Sequence, residues 1–396
     1  MPVPSNAPAR PGVPTVRRSA RVRHYGLMSV AALLLSVVAS PSASAQTERR
    51  TLGGRDIALY NIAGEVTVER GSGSDVVVEI TRGGRDAGRL RIVEDEIRGS
   101  NTLRVLYPEG DIVYPGTRRT SSRASDRDVD RDDDRYGSRG GDSYSAELRL
   151  DRDGMWGNSN RWDDGRRVRI RSRGDGTEAW ADIRVLVPRG RTVKVHLGVG
   201  QLDANGVDAD LTLDVAAARV TATGTRGALS IDAGSGSVSV RDATATEMTI
   251  DTGSGSVSIS GVSADRCTFE TGSGTISGDR VTCDDAKFDT GSGGIRMDDV
   301  RAPNAAFETG SGGVQVNLVT SPRSLAIESG SGSVVVRLPS DVDAEVMIET
   351  GSGGITTDFG IATNRVERNR LQGRIGRGTG RITVETGSGS VRLLKR

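Results

Sequence analysis

Apolar and polar residues alternate through most of the second half of the chain, and the alternation is locked to a recurring Gly-rich turn. The first residue of each turn is Gly198, Ala216 (a degenerate copy), Gly234, Gly253, Gly272, Gly291, Gly310, Gly330, Gly351 or Gly387. The intervals run 18, 18, 19, 19, 19, 19, 20, 21 and 36 residues. Three residues before the turn stand Val195, Leu213, Ile231, Ile250, Phe269, Phe288, Phe307, Ile327, Ile348 and Val384. Four residues after it stand Leu202, Val220, Val238, Val257, Ile276, Ile295, Val314, Val334, Ile355 and Val391. Alternation on both sides of a tight turn is the pattern of half-buried strands. Each unit therefore reads as strand, Gly-rich turn, strand and loose return.

One such unit cannot fold alone. It buries three or four apolar side chains at roughly 1.5–3 kcal/mol each, while ordering its backbone costs roughly 1–2 kcal/mol per residue. Stacking lets each unit pair its backbone with two neighbours and close a continuous core. The pattern thus predicts an all-β fold, a single-stranded β-solenoid (parallel β-helix-like) of about ten rungs of about 19 residues. Glycine is expected at the turns because stacked backbones approach closely there or because the turn needs positive φ.

The first half is less regular. A divergent copy, Leu59 to Val68, precedes strand-like stretches at Val76–Thr81, Leu90–Val93 and Leu103–Leu106. Residues 46–110 are read as an N-terminal β cap with divergent first rungs, and 167–396 as the repeat domain. Between them, residues 111–166 lose the period, and Arg123–Arg135 is almost wholly Arg, Asp and Ser. That composition predicts a disordered insertion. The 36-residue interval before the last turn predicts an excursion, after which the final rung caps the C-terminal end.

Residues 1–45 read as a secretory signal peptide. Five arginines lead into an apolar run from Leu27 to Ala39, and Ala43-Ser44-Ala45 offers a cleavage site before Gln46. The run is too short to span a bilayer, which takes about 20 residues. Without the five leader arginines, 48 basic residues face 52 acidic ones. That balance argues against a nucleic-acid partner, which needs a net basic face. The expected destination is the periplasm, the cell surface or the medium. An oxidising compartment permits a disulfide, so Cys267 and Cys283, on adjacent repeats, are either bonded or two separately buried thiols.

The residues that could carry chemistry are few. His196 is the one histidine beyond the leader, and it stands where later repeats carry acids. It is read as an outward surface residue. No Cys/His cluster has metal-ligand spacing, and the Gly-Ser-Gly turns lack the Lys and following helix of a phosphate loop. Two residues before each turn runs an acidic column: Asp214, Asp232, Asp251, Glu270, Asp289, Glu308, Glu328, Glu349 and Glu385. Alternation points it to solvent. A solvated polar face is its plain reading, and a calcium ladder through Asp232, Asp251, Glu270, Asp289, Glu308, Glu328 and Glu349 is its sharper one, since calcium takes oxygen ligands. The Thr column (Thr252, Thr271, Thr290, Thr309, Thr350, Thr386) and the Ser column (Ser235, Ser254, Ser273, Ser292, Ser311, Ser331) are expected to form hydrogen-bond ladders.

Three features together resemble a bacterial "putative adhesin" family of exported or envelope proteins without an assigned function. They are the repeated signature seen in Glu308-Thr309-Gly310-Ser311-Gly312-Gly313-Val314, the strand ending at Pro188, and the closing Asn369-Arg370-Leu371-Gln372-Gly373-Arg374-Ile375-Gly376 followed by Ile382 to Gly389. The resemblance covers residues 50–110 and 167–396, and it implies a β-solenoid at the cell envelope with no catalytic residues to carry over. The expected function is a non-enzymatic, adhesin-like interaction with a surface polymer, a glycan, an envelope protein or a second copy of itself. The alternatives are a carbohydrate-active β-helix enzyme, lyase or hydrolase, and an envelope-stress-linked binding protein. The enzyme would need a local pair of acids in a groove.

Overall fold

In the computed structural model, residues 47–116, 145–156 and 165–396 are described. The expected signal segment 1–45 and most of the charged stretch 111–166 lie outside them. All described residues belong to one compact unit, Ala45–Arg396. It is almost wholly β, with a single three-residue 3₁₀ turn at Ala87–Arg89.

The repeats stack as parallel, in-register strands. Val257–Thr271 pairs with Ile276–Thr290 so that Val257 meets Ile276 and Phe269 meets Phe288. Side chains alternate in and out along each straight run, with a skipped residue at the corners: Val257, Ile259, Val262, Cys267, Phe269 and Thr271 are all buried. The next layers repeat this: Phe288 and Phe307 stack with ring centroids 4.7 Å apart, and Phe269 packs on Phe288 at 5.4 Å with its ring tilted by 46°. Each of these rings is fully buried, which is how a chain with 3% aromatic residues fills a core.

The coil turns at a column the repeat pattern did not single out. Asp242, Gly261, Arg280 and Asp299 follow one another at the same corner, with φ of 51°, 66°, 51° and 50°. The left-handed region costs an L-residue roughly 1–2 kcal/mol, so the corner is read partly by Gly and otherwise tolerated because the flanking ladders fix it. Apart from the turn of Gly234 and Gly236, where Gly236 has a φ of 120°, the Gly-Ser-Gly turns need glycine for the other reason. A Cβ on Gly312 would lie 1.9 Å from the Gly293 carbonyl oxygen, and Gly293, Gly332 and Gly389 are hemmed in the same way, with left-handed φ at none of the four.

The chain order and the stacking order part company near the C-terminus. Ser324–Ser329 pairs not with the next repeat but with Gly380–Thr386, Glu328 opposite Glu385. Gly380–Thr386 pairs on its other side with Ala344–Thr350, Glu385 opposite Glu349. The companion strands follow suit: Val391–Lys395 lies between Val334–Leu338 and Ile355–Thr357. The last rung is therefore interior to the stack rather than its cap. The end is closed instead by Arg370–Ile375, antiparallel to Ala344–Thr350, and by Ala362–Val366 outside it. The excursion that the 36-residue interval implied is this hairpin. An antiparallel cover turns a parallel edge into one that a further rung does not match, which blunts end-to-end addition. The reversal into the last rung is held by the Asp343 carboxylate, which accepts from the Gly378 and Thr379 amides at 2.5 and 3.0 Å.

At the other end, Asp56–Arg70 forms the first layer against Thr192–Asn205, with Leu59 opposite Val195 and Val66 opposite Leu202. Its outer side is shared. Ser100–Leu106 covers one half in parallel, and Trp180–Val187 covers the other, followed by the antiparallel strands Val76–Gly83 and Thr47–Leu52. A second sheet of Ser145–Leu150, Arg166–Arg171, Ile112–Val113 and Thr177–Glu178 completes this end. It buries Ile112, Leu148, Leu150, Val168 and Ile170. Two corrections follow. The expected disordered insertion 111–166 contains ordered strands at both ends, because Leu148 and Leu150 supply an apolar face that the charged centre masks in any averaged composition. Residues 167–187, assigned to the repeat domain, pair with the cap instead. Cys267 and Cys283 face each other inside the coil with Cα atoms 6.1 Å apart and are joined as a disulfide.

Candidate functional site

The signature Glu-Thr-Gly-Ser-Gly places each residue in a different environment. The Thr is buried and ties two layers together. Thr309 Oγ1 accepts from the Gly312 amide at 3.0 Å and donates to the Gly293 carbonyl of the layer below at 2.8 Å. Thr271, Thr290 and Thr386 do the same, and Ser329 replaces Thr in its layer. The Thr ladder therefore runs through backbone groups, satisfying turn amides that stacking alone leaves open. The Ser column makes no such ladder: among the described residues no hydrogen bond joins one of these hydroxyls to the next. Those positions lie on the solvent side of the turns.

The acid two residues before each turn points outward, and the register lines these acids up across the layers. Reading along the stack the column runs Asp214, Asp232, Asp251, Glu270, Asp289, Glu308, Glu328, Glu385 and Glu349. Neighbouring strands sit about 4.8 Å apart, and like charges at that spacing repel by roughly 1 kcal/mol in water. Part of the column is compensated. Lys287 Nζ reaches Glu270 at 2.8 Å and Asp289 at 3.3 Å. Arg370, on the terminal hairpin, pairs with Glu349 at 3.0 Å. Neither cation belongs to the repeating pattern, so spacing could not have pointed to them. Burial, helped by Glu270, raises the Asp251 carboxyl above its ordinary value. Glu308, Glu328 and Glu385 form no ion pair among the described residues.

Beside those three acids the turns leave an open groove of about 670 Å³. Its walls repeat one motif from layer to layer, acid, buried hydroxyl and glycine: Glu308, Thr309 and Gly310, then the same from the layers of Glu328, Glu385 and Glu349. Nothing in it breaks the repeat except Asn369 at the terminal edge. The calcium ladder meets a geometric obstacle. Parallel acids one layer apart point the same way instead of converging, and no three acidic, His or Cys side chains among the described residues are placed to hold a metal ion.

His196 is not the free surface residue its position suggested. Its side chain is 11% exposed. Its ring stacks on Tyr60 at 4.2 Å, and Nδ1 lies 3.0 Å from Asp214. The aromatic partner came from the divergent first rung, whose register with the repeats the structure supplies.

Among known proteins, a family model described as Toastrack DUF4097 matches residues 167–394. No curated protein matches the chain. One crystal structure, of a "putative cell adhesion protein" from Clostridium sporogenes ATCC 15579, aligns at 10% identity over 89% of this chain and 99% of its own. Its TM-score of 0.22 is too low for the likeness to bear on fold or function. No helix among the described residues is long and apolar enough to cross a membrane.

Proposed function

This chain belongs to the Toastrack DUF4097 family, and from that premise we propose that it is a non-enzymatic, exported, adhesin-like β-solenoid that holds a repeating partner at the cell envelope. The observation that carries this reading is the groove along Glu308, Glu328 and Glu385, whose walls offer the same acid, hydroxyl and glycine at every layer. A site built by translation suits a ligand built by translation, a polymer or an extended chain. General acid–base chemistry asks for the reverse, two groups in unlike environments at one point. Three adjacent carboxylates that pair with no cation among the described residues favour a positively charged partner. Export agrees with the Arg-rich leader, the apolar run of 27–39 and the disulfide.

The test is retention of the purified protein on chitosan, on neutral glucan and on polygalacturonate, with release of soluble fragments followed in parallel. Retention on chitosan is expected to fall when Glu308, Glu328 and Glu385 are replaced together by Gln, and to weaken at about 1 M salt, where screening reaches contact distances. Fragment release by the parent protein would overturn the non-enzymatic reading. Equal retention of parent and triple variant would overturn the role of the groove.

A further inference from the structure

A second hollow, of about 700 Å³, lies at the other end of the same face, where the first layer meets the capping sheet. It differs from the groove in adding aromatic rings and cations to the acids. Its floor is aromatic: Trp156 stands edge-on to Tyr60 at 5.6 Å and to His196 at 6.4 Å, and the latter two are stacked. Lys194 and Arg152 line it, exposed and without an ion pair among the described residues. Thr212 and Ser230 add hydroxyls from the next two layers.

One atom in this wall is unsatisfied. Trp156 is 8% exposed, and its indole N–H is buried with no acceptor among the described residues. A buried donor left unpaired costs roughly 1–3 kcal/mol, and a folded chain seldom keeps such a group unless something else supplies the acceptor. We propose that this hollow is a binding site for a carboxylate-bearing sugar ring, such as a uronic acid unit of an acidic polysaccharide. A pyranose brings apolar C–H faces for Tyr60 and Trp156, hydroxyls for Thr212, Ser230 and the indole N–H, and one negative group for Lys194 and Arg152. The charge on the ligand is limited from the other wall. Arg98, Arg149, Arg152 and Lys194 line the hollow against Asp151, Asp214 and Asp232, four cations to three acids, so the one surplus positive charge matches a single carboxylate and is exceeded by a dianionic phosphate.

The site stands apart from the acidic groove and does not depend on it. The experiment is isothermal titration of the purified protein with tetragalacturonate and with its methyl ester, which keeps the skeleton and removes the charge. Tetragalacturonate is expected to bind at least about tenfold more tightly than the ester. Trp156→Phe, which keeps a ring and deletes the N–H, weakens both ligands by about tenfold. Lys194→Gln weakens only the charged one. Thermal melts of both variants that match the parent establish that folding is intact. The proposal is overturned by no binding of tetragalacturonate, by equal binding of acid and ester, or by both variants binding as the parent does. None of these outcomes touches the groove, whose retention on chitosan is read separately.

Discussion

Two stacking orders are compatible with the same repeat sequence, and a pair of cysteines distinguishes them. If the rungs stacked in chain order, the layer of Glu328 would adjoin that of Glu349. In the structure the layer of Glu385 lies between them, paired to both. One layer separates Cα atoms by about 4.8 Å and two layers by about 9.6 Å. A disulfide spans Cα distances of roughly 4.4–6.8 Å and fails beyond about 7 Å. Glu328→Cys with Glu385→Cys should therefore cross-link under mild oxidation, as should Glu349→Cys with Glu385→Cys. Glu328→Cys with Glu349→Cys should not. All three positions are outward and at least partly exposed, while Cys267 and Cys283 are buried and already bonded, so the new thiols have no competing partner. Peptide mapping by mass spectrometry without reduction gives the answer directly. A 328–349 link in the monomer, with no 328–385 link, would refute the interleaved order and make the terminal rung a cap after all.

Two further predictions follow from packing and charge. Gly312→Ala puts a Cβ 1.9 Å from the Gly293 carbonyl oxygen and should cost about 1–3 kcal/mol as overpacking does. Gly354→Ala, with nothing within 4 Å, should stay within about 0.5 kcal/mol. Urea unfolding of both variants checks the contrast, and equal losses would count against the close-approach account. Asp251 gives a pH signature. Its carboxyl is raised above 3.8 by burial and then by Glu270, so the native state holds the proton more tightly than the unfolded chain, and stability falls as pH rises from 3.8 through the raised value. Asp251→Asn should melt higher than the parent near neutral pH, with the gain vanishing in acid below 3.8. A gain that is the same at both ends would assign the effect to something other than ionisation.

The repeating part of the fold was legible because one physical constraint wrote it many times. Each layer must bury the same column and turn in the same place, so Phe269, Phe288 and Phe307 advertise a shared environment by position alone. The interleaving of the last rung was not legible for the complementary reason. Glu328, Glu349 and Glu385 carry the same signature, and any layer bearing it can lie beside any other. Only the antiparallel hairpin Ala362–Val366 with Arg370–Ile375 and the Asp343 clasp on residues 378 and 379 select the order, and neither repeats. The cap was obscured differently. Ser145–Leu150 is a sound alternating strand, but it sits against the charged stretch that led the whole of 111–166 to be read as disordered.

The same logic divides the two candidate sites. The acidic groove is a consequence of repetition, and its column could be read residue by residue, though its counter-ions Lys287 and Arg370 could not. The aromatic hollow is a consequence of the place where repetition stops. Tyr60 occupies the layer before His196 in the same column, and Trp156 arrives from the irregular segment that follows Ser145–Leu150, which the repeat does not contain. A translationally uniform stack offers every point on a face the same chemistry, so a selective pocket needs a defect, and the first layer is where the stack meets unrelated sequence. Selectivity in this protein should therefore track the cap, and capacity for a long partner should track the number of layers behind it.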